Sequence, residues 1–598
     1  MNEYAAPLQD MMFVLRELAG LDRISALPGN EEVNEELASA ILEEAGKFAS
    51  GVLSPLNVIG DREGASWADG EVRTATGWQQ AYRHFSESGW NALSCRAEFG
   101  GQGLPRVVSA LVEEMWNGAN VAFALCPMLT RGAIEALDLC GTKQQKELYL
   151  PFLISGEWTG TMNLTEPQAG SDLSAVRTRA VPQADGSFRI HGQKIFITYG
   201  EHDLTPNIVH LVLARTPNAP EGVKGISLFV VPKFLVGSNG RIGERNDVRC
   251  VSIEHKLGIH GSPTAVLAFG DNEGAKGWLV GEVNRGLEYM FVMMNAARYS
   301  VGLEGVGLCE RAYQRARDYA RDRKQGVEIG SASREKAPIV RHPDVRRMLL
   351  QMKSRTEALR AVACVVAAAM DTAESHPDEA VRNERQAFVD FMIPIVKGWS
   401  TETSVLVTSL GVQVHGGMGY VEETGAAQHL RDSRITPIYE GTTGIQAIDL
   451  IGRKIAKDGG KTALKVLREI EEVQQHLLMT KDPELATFAN HLLIGNAALR
   501  RSVDYVVEHY GHDVKKVSVG AVPLLELFGI VLGGWQMARA ALAARQQLID
   551  GTGNSGYLHA KLLTARFYAD HILTQARGLA ETFVNGAHPV LAYLDEQF

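Results

Sequence analysis

Met162-Asn163-Leu164-Thr165-Glu166-Pro167-Gln168-Ala169-Gly170-Ser171-Asp172 stands where the character of the chain changes. Before it the sequence reads as helices. Glu31 to Leu53 places Val33, Leu37, Ile41, Leu42 and Ala45 at helical spacing, with acids on the other face. Gly89-Trp90 and Gly100-Gly101-Gln102-Gly103 punctuate this region as turns. After Glu157 the pattern becomes short apolar runs with alternation: Phe188 to His191, Ile208 to Leu213, and Gly225 to Val231. Turn-rich stretches such as Asn218 to Gly222 separate them, which predicts a small sandwich or barrel ending near Gly277 to Gly281. Helical spacing resumes at Gly286, broken by a Gly- and Ser-rich loop from Gln325 to Ala337. It continues in Lys461 to Met479, where Leu464, Leu467, Ile470, Val473 and Leu477 form one stripe.

The reading is therefore α+β, in four segments: 1–158 helical, 159–282 strands, 283–455 helical and 456–598 a further helical block. A chain of 598 residues exceeds what one hydrophobic core organises, so several domains are expected. Sixty basic and 70 acidic residues leave a net charge of −10, which argues against nucleic acid or an anionic membrane as partner. Cys95, Cys126, Cys140, Cys250, Cys309 and Cys364 form no C-x-x-C pair and no zinc spacing, so neither disulfides nor a metal site is expected. The stretch Met1 to Ala19 contains Glu3, Asp10 and Glu17 and lacks the marks of a signal or transit peptide, which fits a cytoplasmic location. Val517 to Ala538 is long and apolar enough to span a membrane. A central Glu526 would cost ~2.5–3.5 kcal/mol there, and Pro523 and glycines interrupt the run, so a buried helix at a subunit contact is the expectation.

Two motifs mislead. Gly551-Thr552-Gly553-Asn554-Ser555-Gly556 matches G-x-G-x-x-G, but the residues before it, Met537 to Ile549, are helical rather than a strand, so it reads as a loop between helices. Gly460-Lys461-Thr462 resembles the end of a phosphate loop, yet the earlier glycine required is Ile455; a helix start is expected instead.

Five other strings occur in order. They are Thr165 to Asp172, Gly192 to Gly200, Arg321-Asp322-Arg323-Lys324, Gln413-Val414-His415-Gly416-Gly417-Met418-Gly419-Tyr420, and Arg431-Asp432 followed by Ile438-Tyr439-Glu440-Gly441-Thr442. Together they resemble the acyl-CoA dehydrogenase family over residues 80 to 455. That resemblance implies an N-terminal helical domain, a middle β-barrel domain, a C-terminal helical bundle, and FAD lying between subunits. It implies that Met162, Leu164, Thr165, Gly170 and Ser171 meet the flavin side, with Leu164 and Thr165 at its pyrimidine edge. Phe196, where the family often has Trp, would pack on the isoalloxazine, and Thr198 would bond flavin N5. Arg323, Gln413, Val414, Gly416, Gly417 and Thr442 would reach the cofactor of a neighbouring subunit. Ser171, Asn295, Arg298, Tyr439 and Gly441 would contact the acyl-CoA substrate.

Glu440 is implied as the base. It would take the α-proton of the thioester while the β-hydride leaves to flavin N5, giving the trans-2-enoyl-CoA. Such a carboxylate needs desolvation, and Ile435, Pro437, Ile438 and Tyr439 before it, with Ile445, Ile448 and Ile451 after it, offer an apolar approach. Some members carry the base just before the Arg of the earlier helix; here that position is Ala297, so no carboxylate is available there.

The departures are local. Arg96-Ala97-Glu98-Phe99 replaces a Pro-Glu-Glu start, Arg323-Lys324-Gln325-Gly326 lacks the usual Phe, and Thr443-Gly444 replaces a polar pair. Ordinary members end near residue 455. The extension, the His260 to Thr264 string and Lys561-Leu562-Leu563-Thr564-Ala565-Arg566-Phe567-Tyr568 resemble a large-subunit branch that includes 3-methylmercaptopropionyl-CoA dehydrogenases and large bacterial fatty acyl-CoA dehydrogenases. That branch implies a homodimer and electron-transfer flavoprotein as acceptor. Two rivals are an acyl-CoA oxidase and a DNA-associated flavoprotein of the same fold; the second expects a basic tail, whereas 451–598 holds 16 Lys+Arg and 15 Asp+Glu.

Overall fold

The structure, a computed structural model, describes residues 4–237 and 239–598. The first residues of the chain, with Glu3 of the N-terminal stretch, lie outside the described residues. The chain packs as two compact units. One comprises Met1–Gly46, Pro105–Gly118 and Val301–Phe598; the other comprises Lys47–Leu104 and Ala119–Ser300. The four-segment reading follows sequence order, whereas packing sorts the N-terminal helical residues into both units.

The mixed unit is built on eight strands: β1 (Trp158–Asn163), β2 (Arg179–Pro182), β3 (Phe188–Thr198), β4 (Asn207–Ala214), β5 (Ser227–Pro232), β6 (Val248–Ile253), β7 (Thr264–Phe269) and β8 (Ala275–Val280). Their hydrogen-bonded order is β6-β7-β3-β8-β5-β4-β1, with β2 on β3. Among the described strands, β1 and β4 pair in parallel and the other pairs are antiparallel. The eleven-residue β3 pairs with β8 through Phe188–Ile190 and with β7 through Gly192–Thr198, so one strand serves both parts of the sheet. Val248 and Cys250 of β6 share one core with Val212 of β4 and Phe229 of β5, so the sheet wraps around its own interior. Burying such side chains contributes ~1.5–3 kcal/mol each.

A break in the register matters for function. Ala265 faces Ile197 but Leu267 faces Lys194, so Ile195 and Phe196 together oppose one residue of β7. This is a β-bulge, and Phe196 takes φ 60 within it. The bulge turns the Phe196 ring out of the alternation, and it is 58% exposed. Beyond it, the Tyr199 hydroxyl donates to Ala122 O (2.7 Å) and accepts from Trp78 Nε1 (3.1 Å), which fixes the end of the strand.

The long helix Arg106–Cys140 is not continuous. Asn120 has φ −161 and ψ 88, and its side-chain oxygen accepts from Phe123 N, capping the second half. Asn120 to Leu129 reads as helix in sequence; the structure makes Asn120 the start of that helix.

In the helical unit, Pro343–Ser375 packs along Glu379–His415, and Ala521–Asp550 lies against both. Ala521–Asp550 is the one described helix long and apolar enough to cross a membrane, and 83% of its most apolar window is buried in the protein. Its glycines do not interrupt it. A Cβ at Gly529 would lie 2.1 Å from the Trp399 ring, and one at Gly533 would lie 2.4 Å from the Tyr568 hydroxyl. These glycines form the groove that receives Trp399, which is itself buried. The two misleading motifs are helix ends: Gly551 (φ 66) closes one helix, Asn554 caps the next, and Gly460 precedes Lys461–Met479.

The C-terminal block is tied to the rest of this unit by buried charge. Arg360 donates to Asp10 (2.7 Å), Glu114 (2.6 Å) and Glu310 (2.7 Å), and Lys561 bonds both Asp10 and Glu357. Tyr557 adds a bond to Asp10 at 2.7 Å. Removing one partner of such a set strands a charge in the interior, a loss of about 3–5 kcal/mol.

Candidate active site

The sheet-containing unit carries the residues expected on the flavin side. Met162 lies one residue before the end of β1 and is buried, and Leu164, just past the strand, is buried too. Thr165 accepts from Ile195 N through its carbonyl (2.9 Å), so the bulge of β3 and the loop after β1 are stitched together. Glu166 and Ala169 exchange backbone bonds of 3.0 and 2.9 Å, closing a tight loop that leaves Gly170 and Ser171 exposed. Thr198, at the far end of β3, is half-buried.

The support for this loop lies underneath, in Glu166 and Lys194. Lys194 Nζ donates to Glu166 Oε1 (2.8 Å) and to Leu164 O (3.0 Å), and neither side chain reaches solvent appreciably. Glu166 also accepts from Thr178 Oγ1 (2.6 Å), Thr178 N (3.1 Å), Arg177 N (2.7 Å) and Gln168 Nε2 (2.6 Å). Burial raises its proton affinity, but the Lys194 charge and these donors outweigh it and bring the carboxyl down to about 2. Burial pulls the Lys194 ammonium down to about 8, against the pull of Glu166. Both residues lie inside quoted motifs, yet only their pairing across 28 positions reveals that they anchor the loop.

The expected substrate residues Asn295 and Arg298 lie on the helix Gly286–Asp322, the first half-buried and the second buried. Ala297, the alternative base position, is buried.

The helical unit carries the rest. Glu440 is half-buried and sits at φ 54, followed by Gly441 at φ 90, immediately before the helix Thr443–Asp449. A left-handed carboxylate residue costs about 1–3 kcal/mol and persists only where its surroundings over-determine it. Here they do. The fully buried Lys397 donates to Gly441 O (2.7 Å), and Gln446 Nε2 donates to Glu440 O (3.3 Å) and Gly441 O (3.2 Å). Thr443 N donates to Pro437 O (3.0 Å), and Thr443 Oγ1 to Glu402 (2.6 Å). Thr442 caps the helix, its hydroxyl accepting from Ile445 N at 3.3 Å.

The apolar approach expected from sequence is arranged differently. Pro437 and Ile451 are buried, but Ile438, Ile445 and Ile448 face solvent in the chain, at 47%, 37% and 41% exposure. Helical periodicity shows that such residues share a face without showing which side of the helix is covered. The buried side of the turn is polar instead: the Tyr439 hydroxyl donates to Glu304, whose carboxyl is fully buried. Burial pushes Glu304 up to about 8, and the nearby charge of Glu440 adds to the rise. Sequence gave Tyr439 a substrate contact; with its hydroxyl engaged inward, only the ring remains for one.

Gln413, Gly416 and Gly417 lie exposed at the end of Glu379–His415. Gly416 takes φ 61, and a Cβ at either glycine would meet nothing within 4 Å, which leaves the backbone open to a close-lying ligand. Val414 departs from expectation: its side chain is buried, so only its backbone is available. His415, not singled out in sequence, is buried, bonds Gly411 O (2.7 Å) and stacks on Tyr319 at 4.3 Å, fixing the helix end. Arg323 is exposed, with no ion pair among the described residues, while its carbonyl accepts from Ile339 N at the neck of the 325–337 loop. An exposed aromatic ring two residues from a half-buried threonine suits the flat part of a flavin dinucleotide, and a glycine pair with open backbone suits its phosphate-bearing part.

Comparisons with known proteins identify the family. Four acyl-CoA dehydrogenase domain families match in order: N-terminal domain at 36–157, middle domain at 161–272, C-terminal domain at 284–456, and "Acetyl-CoA dehydrogenase C-terminal like" at 466–593. The chain is 50% identical to a 3-methylmercaptopropionyl-CoA dehydrogenase of Ruegeria pomeroyi over 96% of each protein. It is 35% identical to the broad-specificity linear acyl-CoA dehydrogenase FadE5 of Mycobacterium tuberculosis over 98% of each. In fold it resembles an acyl-CoA dehydrogenase of Bacillus anthracis complexed with FAD, with a TM-score of 0.74, 23% identity and coverage of 94% of this chain and 90% of that one. The chain belongs to the acyl-CoA dehydrogenase family of FAD-dependent oxidoreductases.

Proposed function

We propose that this enzyme dehydrogenates 3-methylmercaptopropionyl-CoA, with Glu440 as the base. The substrate assignment rests on one observation, the 50% identity to the Ruegeria pomeroyi enzyme of that name over 96% of both chains. A straight-chain fatty acyl-CoA is the second reading, favoured by the 35% identity to FadE5.

FAD, when bound, supplies the hydride acceptor at its N5 atom. Leu164 and Thr165 would offer backbone donors to the pyrimidine edge, Thr198 a hydroxyl toward N5, and Phe196 a ring face. Met162, Gly170 and Ser171 complete that side. Arg323, with its charged fork, would hold the pyrophosphate of a neighbouring subunit's cofactor, alongside Gln413, Val414, Gly416, Gly417 and Thr442. For the acyl-CoA we assign Ser171, Asn295 and Arg298 of the sheet-containing unit and, in the helical unit, Gly441 and the ring of Tyr439. The Glu440 carboxylate would accept the α-proton, the electron pair of the α C–H bond would become the new double bond, and bound FAD would take up the β-hydride. The Glu440 backbone N–H would polarise the thioester oxygen as negative charge gathers there, the kind of donor worth about 2.7–4 kcal/mol.

We further infer a cytoplasmic homodimer that passes its electrons to an electron-transfer flavoprotein. The solvent-facing Ile438, Ile445 and Ile448 support a second copy covering this surface.

Anaerobic flavin bleaching with a panel of acyl-CoAs tests the substrate. Fastest bleaching by the thioether substrate supports the first reading, and preference for straight chains of four or more carbons replaces it with the second. Glu440→Gln should keep bound flavin and lose about 10²–10⁴-fold in bleaching rate. Unchanged bleaching in that variant removes Glu440 as the base.

A further inference from the structure

Glu304 is a buried carboxyl that no step above uses. It lies on the helix Gly286–Asp322, is 0% exposed, and touches the base-bearing turn through the Tyr439 hydroxyl, which donates to its Oε2. Its other oxygen, Oε1, is buried with no hydrogen-bond partner among the described residues. An ionised carboxylate with one bare oxygen in the interior is costly, so the neutral acid is the favoured form. Four groups bear on it: Tyr439, Glu113, Lys397 and Glu440. Lys397 also holds the turn itself, through Gly441 O at 2.7 Å. The same small set of side chains therefore holds the turn and surrounds Glu304.

We propose that Glu304 is a positioning residue for Glu440: its bond to Tyr439 fixes one flank of the strained turn, and its charge state sets how firmly Glu440 holds a proton. The inference rests on Glu440 being the base. With Glu304 neutral, Glu113 and Glu440 are the other carboxyl groups of this cluster and Lys397 is its cation. When Glu304 ionises, a further negative charge enters the cluster, and Glu440 becomes more basic. The ionisation of Glu304, at about 8, falls where turnover can be measured.

The test follows the anaerobic bleaching rate under saturating acyl-CoA from pH 6 to 10 in wild type, Glu304→Gln, Tyr439→Phe and Glu440→Gln, each as the flavin-loaded enzyme. Wild type should show an ionisation near 8 above which the rate rises. Glu304→Gln keeps an acceptor for Tyr439 but cannot ionise; it should stay within about threefold of wild type at pH 7 and lose that rise. Tyr439→Phe, which cuts the link, should lower the rate at pH 7 by tenfold or more with KM changed less than twofold. A Glu304→Gln profile that superimposes on wild type overturns the proposal, as does a Tyr439→Phe rate equal to wild type. Retained bleaching in Glu440→Gln would instead overturn the base assignment on which it stands, so the two failures are distinct. Flavin content and melting temperature of each variant separate a folding defect from either result.

Discussion

Each unit holds its reactive turn with a fully buried lysine, and the two lysines work differently. Lys194 reaches a carboxylate, Glu166, and a carbonyl, Leu164 O, beneath the loop expected to meet the flavin. Lys397 reaches the carbonyl of Gly441 beside the proposed base Glu440, within the field of Glu304, whose proton affinity burial raises. The first is a closed ion pair whose charges neutralise each other, and it makes a rigid platform. The second places its ammonium on the carbonyl next to the residue proposed to change its protonation state during turnover. A platform that only holds a cofactor can afford full neutralisation; a turn that carries a base needs a neighbourhood that tolerates either charge.

Substitutions at the two lysines put the contrast to work, beginning with the largest effect. Lys194→Met strands Glu166 inside the unit, so a loss of about 3–5 kcal/mol is expected, seen as a lower denaturation midpoint and an enzyme purified without flavin. Lys397→Met removes one charge-assisted bond to a carbonyl, worth about 1.5–3 kcal/mol. It should keep its flavin and bleach far more slowly. If both variants lose flavin equally, the division between platform and base-bearing turn is wrong.

Acid and alkali distinguish the regions next. Glu166 sits at about 2 in the folded protein, below the usual 4.5, so its contribution is complete above pH 4.5 and disappears as pH falls toward 2. His202 and His210, held neutral by burial at about 3 against 6.5, act in the same direction, costing stability as pH falls from 6.5 to 3. Glu304 runs the other way: the folded state retains its proton up to about 8, so stability falls as pH rises from 4.5 to 8. Melting curves of Glu304→Gln against wild type should therefore diverge in favour of the variant between pH 5 and 8; a constant difference would sink this assignment. The smallest effect is expected from Thr178→Val, which deletes one of several bonds to Glu166, at about 0.5–1.5 kcal/mol with flavin retained.

The order of helices, strands and helices was legible because periodicity changes at Glu157 and again at Gly286, and the structure places β1 at Trp158 and the long helix at Gly286. The turn at Glu440 was legible as a motif. Its distant supports were not, because Lys397 and Glu304 come from other parts of the sequence, and nothing local marks them as neighbours. The orientation of Ile438, Ile445 and Ile448 was misjudged for a related reason: an apolar face is visible in sequence, but what covers it is not. The bulge at Phe196 escaped because alternation assumes a regular register, and only the pairing with β7 reveals the extra residue. The Asn120 break was hidden inside an apolar run that reads as uninterrupted helix.

The groove at Gly529 and Gly533 bears on any attempt to shorten this enzyme. Family members that stop near residue 455 are natural templates for a minimal version, and cutting the chain there looks like removing an appendage. Trp399 lies on a helix of the shared part, yet its ring is seated in the glycines of the last block. A truncated protein would expose that indole and leave Asp10 and Glu357 without Lys561. A workable miniature therefore has to be redesigned at Trp399, Asp10 and Glu357 before the cut is made, because the added block forms part of the interior.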